Sequence, residues 1–272
     1  MPSPTTHTSP ALTLYCLAHA GGHAAVFREW PAALPAWVEC VPVDLPGHGR
    51  RRFDAPCTDW PALLDALTAA LGPLPRRPFA LFGHSMGALV ALELAHRLRD
   101  TQGRAPVWLG VAGCAGPAVR DYDDTWLSSS DDTMVAELRR LGGTPDALLA
   151  EREFLDLALP ALRADFHLCA TYAGTHHCHA SRKPLDSAVL ALGGRDDALL
   201  DDPASLEAWR QETSGPFDSH VLDGGHFFVE TQRRTLLALI ADALHGALRV
   251  APHVASNDAP PAVQSIVTDL VS

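Results

Sequence analysis

Short apolar runs alternate with stretches of helical periodicity along most of the chain. The runs are partly β-branched and most end at Gly, Pro or Asp, which is typical of buried β-strands. The strands predicted in this way are Leu12–Ala18, Val38–Val43, Phe79–Gly83, Val107–Ala112, Ala188–Leu192 and Ser219–Leu222.

Apolar residues between these runs recur at three- and four-residue spacing, which indicates amphipathic helices. Helices are predicted at about 60–71, 86–99, 203–213 and 227–248, and Pro61 and Pro203 suit first-turn positions. Strand and helix in alternation predict an α/β fold with a mostly parallel sheet covered by helices on both faces.

One stretch interrupts the alternation. Between Arg120 and Thr175 the pattern predicts helices at Thr133–Leu141, Pro145–Glu151 and Phe154–Tyr172, and no strand. A helical insertion between two sheet strands forms either a plain helical layer or a lid over a site. By analogy with other folds of this kind we expect a lid.

The expected organisation is one domain at 11–248, with the lid inserted at about 120–175. The segment 249–272 contains three prolines and little periodicity, so we predict a flexible C-terminal tail.

The length, charge and composition of the chain argue against several classes of function. A chain of 272 residues suits one large α/β domain, and a formal charge of −11 argues against nucleic acid as a partner. No apolar run approaches the roughly 18 residues of a membrane span, the first ten residues lack a signal-peptide pattern, and the six cysteines form no C-x-x-C. We expect a cytoplasmic monomer without a membrane partner.

A candidate nucleophile lies in Gly83-His84-Ser85-Met86-Gly87, which matches G-x-S-x-G. The pentapeptide alone is modest evidence, but a predicted strand precedes it and a predicted helix follows it. This is the strand–turn–helix context of a nucleophile elbow, which presents the serine hydroxyl at a helix N-terminus. Ser85 is therefore the predicted nucleophile.

A serine needs a base, and the base needs a carboxylate to orient it. His226 lies between the last predicted strand and the last predicted helix, where this fold places its histidine. Two adjacent carboxylates, Asp196 and Asp197, follow the preceding strand. The spacing from Gly194 favours Asp197, and Asp196 stays open as the alternative.

An oxyanion hole needs two backbone N–H groups that face the tetrahedral oxygen. Met86 supplies the position directly after the serine, and Ala20 lies in the Gly-containing loop after the first strand. We therefore predict these two residues as the donors.

Two further clusters carry weaker signals. The sequence His176-His177-Cys178-His179 contains only metal-ligand types, but adjacent residues rarely converge on one ion and the predicted chemistry needs no metal and no cofactor. The basic runs Arg50-Arg51-Arg52 and Arg76-Arg77 are expected to be solvated surface, and a docking site is the alternative for them.

Taken together, the motifs resemble the free-standing type II thioesterases of polyketide and nonribosomal peptide assembly lines, from about Leu14 to about Leu244. The segments that carry the resemblance are His19–Gly22, Asp44–Gly47, Gly83–Gly87, Ala136–Gly143, Leu159–Asp165 and Gly224–Phe228. The two segments in the helical insertion are the most specific, because generic hydrolases lack them.

The resemblance implies an α/β-hydrolase fold and hydrolysis of acyl thioesters on the phosphopantetheine arm of acyl or peptidyl carrier proteins. Ser85, Asp197 and His226 take the catalytic roles by this resemblance. Because carrier proteins are acidic, it makes Arg50, Arg51 and Arg52 candidate docking residues. The alternatives are a chain-releasing thioesterase, a small-molecule carboxylesterase and an inactive hydrolase fold used for binding.

Overall fold

The computed structural model describes residues 9–178, 182–200 and 202–250. Its centre is a parallel sheet of six strands in the order β2-β1-β3-β4-β5-β6. The strands are β1 (Leu12–Leu17), β2 (Val38–Val43), β3 (Phe79–His84), β4 (Trp108–Ala112), β5 (Ala188–Gly194) and β6 (Phe217–Leu222).

The described helices cover both faces of the sheet and form the insertion between β4 and β5. They are α1 (Trp30–Ala33), α2 (Trp60–Leu71), α3 (Met86–Gln102), α4 (Asp131–Leu141), α5 (Asp146–Leu149), α6 (Arg152–Cys178), α7 (Pro203–Glu207), α8 (Phe228–Thr231) and α9 (Arg233–Val250). Short 3₁₀ segments lie at Ala24–Phe27, Gly49–Arg51, Pro117–Val119, Trp126–Ser128 and Ala208–Glu212.

Alternate residues of each inner strand enter two different cores. In β1, Tyr15 and Leu17 pack in the core that contains α2 and α3, whereas Leu14 and Cys16 pack in the core that contains α9. All six residues of β1 are buried, because a parallel sheet with helices on both faces leaves no side of the strand exposed. The site therefore lies at the carboxyl ends of the strands, where the loops emerge.

The helical insertion, which we define as residues 120–178, has a small hydrophobic cluster of its own. Met134, Leu138, Leu149, Leu159 and Leu162 are among its buried members, and they come from α4, α5 and α6. The described part of the insertion contains no strand, as the sequence predicts.

The six strands lie within a few residues of their predicted bounds, and the alternation predicted from the sequence is confirmed. Several helix predictions were wrong in detail. The single helix expected at 227–248 is broken into α8 and α9, and 203–213 is a short helix followed by a 3₁₀ segment. The helix α6 extends six residues beyond its predicted end, with Pro160 in its interior.

The extension of α6 also changes the setting of the His176–His179 cluster. Residues 176–178 form the last turn of a helix rather than a loop, and His179 lies outside the described residues. At the other end of the chain, α9 continues to Val250, while 251–272 of the predicted tail lie outside the described residues. No helix in the described part of the chain is both long and apolar enough to cross a bilayer.

Candidate active site

The turn between β3 and α3 holds Ser85 in a strained conformation. Its φ of 55° makes it the one non-glycine residue with positive φ in the described chain. A Cβ on Gly83 would lie 1.9 Å from the carbonyl oxygen of Gly87, and a Cβ on Gly87 would lie 2.2 Å from that of Leu17. Both glycines are therefore required by close backbone contact, and the turn has the geometry of a nucleophile elbow.

A hydrogen-bonded chain of three side chains starts at this serine. The Nε2 atom of His226 lies 3.0 Å from Ser85 Oγ, and its Nδ1 atom lies 2.9 Å from Asp197 Oδ2. Asp197 is 3% exposed, and its second oxygen accepts a hydrogen bond of 3.0 Å from the backbone N–H of Leu199. The buried carboxylate thus fixes the imidazole with one nitrogen directed at the serine.

The two adjacent carboxylates have different surroundings. Asp196 is exposed, and its backbone N–H donates to the carbonyl of Gly224, whereas Asp197 faces His226. A Cβ on Gly194 would lie 2.5 Å from the Gly224 carbonyl oxygen, so a glycine is needed where this turn meets the histidine loop. This contact gives the G-x-x-D spacing a physical reason.

Two further histidines, His84 and His19, lie close to His226: the ring centroid of His84 is 5.1 Å from that of His226 and 5.3 Å from that of His19. The Nε2 atom of His84 donates to the backbone carbonyl of His226 over 2.8 Å and so supports the histidine loop. Burial is the main reason that the pKa of His84 is well below its ordinary value, and the nearby His19 and His226 lower it further. Burial also lowers the pKa of His19 to about 4, helped by His226. Both rings are therefore neutral at pH 7 and add no charge beside His226.

Both predicted oxyanion donors line the cavity that contains Ser85. Met86 is the first residue of α3, so its N–H has no acceptor within the helix. Ala20 lines the same cavity as Ser85. The next residue, Gly21, donates its N–H to Asp165 Oδ2 over 2.7 Å, which ties this loop to α6.

Asp165 also pairs with His48, and both side chains are 4% exposed. The ring atoms Nδ1 and Nε2 of His48 face the Pro46 carbonyl at 3.0 Å and Asp165 Oδ2 at 2.9 Å. Two acceptors favour a doubly protonated ring. Burial alone would lower the pKa of His48, but the hydrogen bond and charge of Asp165 outweigh it and raise the pKa above its ordinary value.

A cavity of about 1380 Å³ opens above these residues. It extends along the carboxyl ends of neighbouring strands, from the loop after β2, past Ser85 after β3, to the loop after β4. Its roof comes from the insertion, and the apolar roof residues include Leu138, Leu141, Phe154, Ala161, Leu162 and Phe166. The cavity can hold an elongated ligand with its middle at the serine.

The arginine run after β2 divides between two environments. Arg50 and Arg52 line the cavity, and the Arg52 guanidinium lies 4.3 Å from the ring centroid of Phe53, which is 85% exposed. Arg51 instead binds Asp54 over 2.8 Å. We call Arg50 and Arg52 the basic mouth of the cavity.

Sequence reasoning missed several polar residues around the site. His84 is the variable residue of the G-x-S-x-G motif, and its position directly before Ser85 is the signal that could have marked it as part of the site. His48 and Asp165 each lie in or beside a segment of the family resemblance. Arg120 lines the cavity on the side of β4, and no motif marks it.

The parallel sheet and the elbow define an α/β-hydrolase. The family model described as "Thioesterase domain" matches residues 12–244, so the chain belongs to the thioesterase family.

Relatives and solved structures agree with this membership. The thioesterase PikA5 of Streptomyces venezuelae is 36% identical over 88% of this chain and 83% of its own. The type II thioesterase BorB from the borrelidin cluster is 34% identical, with a TM-score of 0.76 over 88% of this chain and 96% of its own. The linear gramicidin dehydrogenase LgrE of Brevibacillus parabrevis is 37% identical over 90% and 92% of the two chains; its name denotes other chemistry.

Proposed function

We propose that this thioesterase uses Ser85, His226 and Asp197 to release acyl groups from the phosphopantetheine arm of carrier proteins, and that it edits misprimed or stalled polyketide or nonribosomal peptide assembly lines. The observation that carries the catalytic assignment is the continuous chain of hydrogen bonds from Asp197 through His226 to Ser85. The assembly-line assignment is supported by the likeness to the thioesterase PikA5 and to the type II thioesterase BorB from the borrelidin biosynthetic cluster.

The reaction begins when His226 accepts the Ser85 hydroxyl proton while Oγ attacks the thioester carbonyl. The N–H groups of Met86 and Ala20 stabilise the resulting oxyanion. Collapse breaks the C–S bond, and the leaving thiolate takes the proton from His226. A water molecule then gives a proton to His226 and attacks the acyl-serine carbonyl. Collapse of this second intermediate breaks the bond between the acyl carbon and Ser85 Oγ, and Oγ takes the proton back from His226 as the acid leaves, while Asp197 stabilises the imidazolium in both halves of the reaction.

The basic mouth is the proposed entrance for the arm. Arg50 and Arg52 line the cavity on the β2 side, and the phosphodiester at the base of the arm is an anion that guanidinium groups bind. The acidic surface of a carrier protein would face the same residues, although the chain itself carries a formal charge of −11. We expect Arg51 to contribute less to binding the arm, because its guanidinium already pairs with Asp54.

Substitution of the three side chains tests the catalytic assignment. Ser85→Ala is expected to lower kcat by about 10⁴-fold or more, because triad members act as a unit. Asp197→Asn is expected to cost up to about 10⁴-fold through the wrong histidine tautomer, and the exposed neighbour Asp196→Asn serves as the matched control with a far smaller loss. A Ser85→Ala protein within tenfold of wild type, or a larger loss for Asp196→Asn, contradicts the assignment.

Salt dependence tests the basic mouth. We expect KM for an acyl-carrier protein to rise with salt, because exposed charges are screened beyond about 8–10 Å. KM for an acyl thioester of N-acetylcysteamine should barely change. Arg52→Gln should weaken the salt response for the carrier substrate, whereas Arg234→Gln, on the exposed face of α9, should not. Equal salt responses for the two substrates contradict docking at this site.

The acyl preference separates editing from chain release. The apolar roof discriminates weakly, by about 1–3 kcal/mol for a methylene-scale misfit, so acetyl, propionyl and butyryl carriers should all be hydrolysed and long chains more slowly. A single acyl group preferred by about a thousandfold would identify a chain-releasing enzyme instead. Faster hydrolysis of simple oxygen esters than of carrier thioesters would identify a carboxylesterase.

A further inference from the structure

We propose that Arg120 selects acyl groups by charge, favouring chains that end in a carboxylate and disfavouring chains that end in a protonated amine. This inference rests on the proposed function, because it takes the thioester carbonyl to lie at Ser85. The observation behind it is a guanidinium that lines the catalytic cavity and has no acidic partner among the described residues.

The contacts of Arg120 use only part of its hydrogen-bonding capacity. Its Nη2 atom donates to the backbone carbonyl of Cys169 on α6 over 3.1 Å, and its Nη1 atom lies 3.6 Å from Cys114 Sγ. The buried Nε atom has no partner in the described chain. The Nη1 and Nη2 atoms carry four N–H donors and make only these two contacts, so Nη donors remain for a ligand.

Two other charged residues that line the cavity already have charged partners. Glu137 receives two hydrogen bonds from Arg140, at 2.8 and 2.6 Å. His48 is paired with Asp165. A partly buried charge without a partner is costly unless a ligand pairs with it, and Arg120 is such a charge on the β4 side of the cavity.

The sheet order places Arg120 on the acyl side of the serine. The basic mouth follows β2, Ser85 follows β3 and Arg120 follows β4, and the order β2-β1-β3-β4 puts the serine between the two basic positions. If the arm enters from the basic mouth, the acyl chain continues beyond Ser85 toward β4. Leu89, Cys114, Cys169 and Ala170 line the cavity there together with Arg120.

A short acyl chain therefore meets an apolar wall that contains one cation. Aliphatic chains fit the wall, a carboxylate gains a charge-assisted hydrogen bond, and an ammonium group faces a like charge. The effect expected from one such hydrogen bond is about tenfold to a hundredfold in kcat/KM.

Shape-matched N-acetylcysteamine thioesters test the inference. Malonyl and isovaleryl groups have similar shapes and differ in charge, and β-alanyl and butyryl groups form the matching cationic pair. We expect the wild-type protein to hydrolyse malonyl at least as fast as isovaleryl, and β-alanyl more slowly than butyryl. Slower hydrolysis of malonyl than of isovaleryl by the wild type overturns the proposal without any variant.

Variants then assign the effect to this residue. Arg120→Met should lower the malonyl-to-isovaleryl ratio of kcat/KM by about tenfold or more and raise the β-alanyl-to-butyryl ratio. Arg120→Lys should keep both wild-type preferences in direction, and Arg234→Met should leave both ratios unchanged. Unchanged ratios in a folded Arg120→Met protein would show that Arg120 only joins its loop to α6. If the wild-type protein does not hydrolyse the isovaleryl thioester at all, the result contradicts the proposed function instead.

Discussion

The two halves of helix α6 contact different parts of the molecule. The C-terminal half belongs to the main body: Leu168 and Tyr172 are buried in the core around α3, and Trp60 donates its indole N–H to the Leu168 carbonyl over 3.2 Å. The Tyr172 hydroxyl also donates to Glu93 over 2.8 Å. This half is fixed to the sheet by polar and apolar contacts together.

The N-terminal half belongs to the insertion. Leu159, Leu162 and Phe166 pack in the separate cluster formed with α4 and α5, and Arg163 binds Asp131 at the start of α4 over 2.5 Å. This half meets the body where Asp165 accepts the Gly21 N–H. The difference indicates that α6 joins the main body of the protein to the separate hydrophobic cluster of the insertion. We therefore expect any opening of the cavity to occur on the N-terminal side of Asp165.

The largest expected effect comes from the anchored half. Arg182 donates two hydrogen bonds of 2.8 Å to Glu93, which is 2% exposed. Burial would raise the pKa of Glu93, but its hydrogen bonds with Arg182 outweigh it and lower the pKa. Glu93→Ala should reduce the free energy of unfolding by about 3–5 kcal/mol in urea denaturation, because it leaves the buried guanidinium without this carboxylate.

A partly exposed ion pair in the insertion, at the edge of the cavity, provides the control for this loss. Glu137 pairs with Arg140 three residues later on α4, and Glu137→Ala should cost less than about 1 kcal/mol. Similar losses for the two glutamates would mean that the C-terminal half of α6 is not anchored as described.

A matched pair of leucines on α6 compares the two halves directly. Leu168→Ala should reduce global stability by about 2–5 kcal/mol, because Leu168 is buried in the main core. Leu162→Ala should change global stability less and instead accelerate backbone hydrogen exchange in α4 and the first part of α6. Equal global losses, with no local change in exchange, would show that the insertion unfolds only with the body.

The sheet and the elbow could be predicted because each depends on local pattern. Strand periodicity and the glycines around Ser85 encode contacts that are close in sequence, and the G-x-x-D spacing favoured the carboxylate that the structure places against His226. The end of α6 was not predicted: the helix continues six residues past Tyr172, where the predicted helix ends.

The polar contacts across the cavity could not be predicted either. Asp165 meets His48 across 117 positions of sequence, and Arg120 meets Cys169 across 49. Such pairs depend on how the insertion packs against the main body, and the spacing of residues along the sequence does not predict that packing. The break between α8 and α9 at Gln232 also escaped prediction, because the apolar spacing continues through it.

The smallest expected effect lies at the junction of the two halves and depends on pH. His48 has a raised pKa, so the stability that it gains from Asp165 is fully present below its unfolded value of about 6.5 and is lost as the pH rises through the folded value. Asp165→Asn keeps an acceptor for the Gly21 N–H but removes the charge. The variant should therefore be less stable than wild type by about 1–2 kcal/mol at pH 6, and the difference should shrink toward pH 9. Urea denaturation of both proteins across this range measures it. A difference that stays constant or grows with pH would mean that His48 is not the charged partner of Asp165.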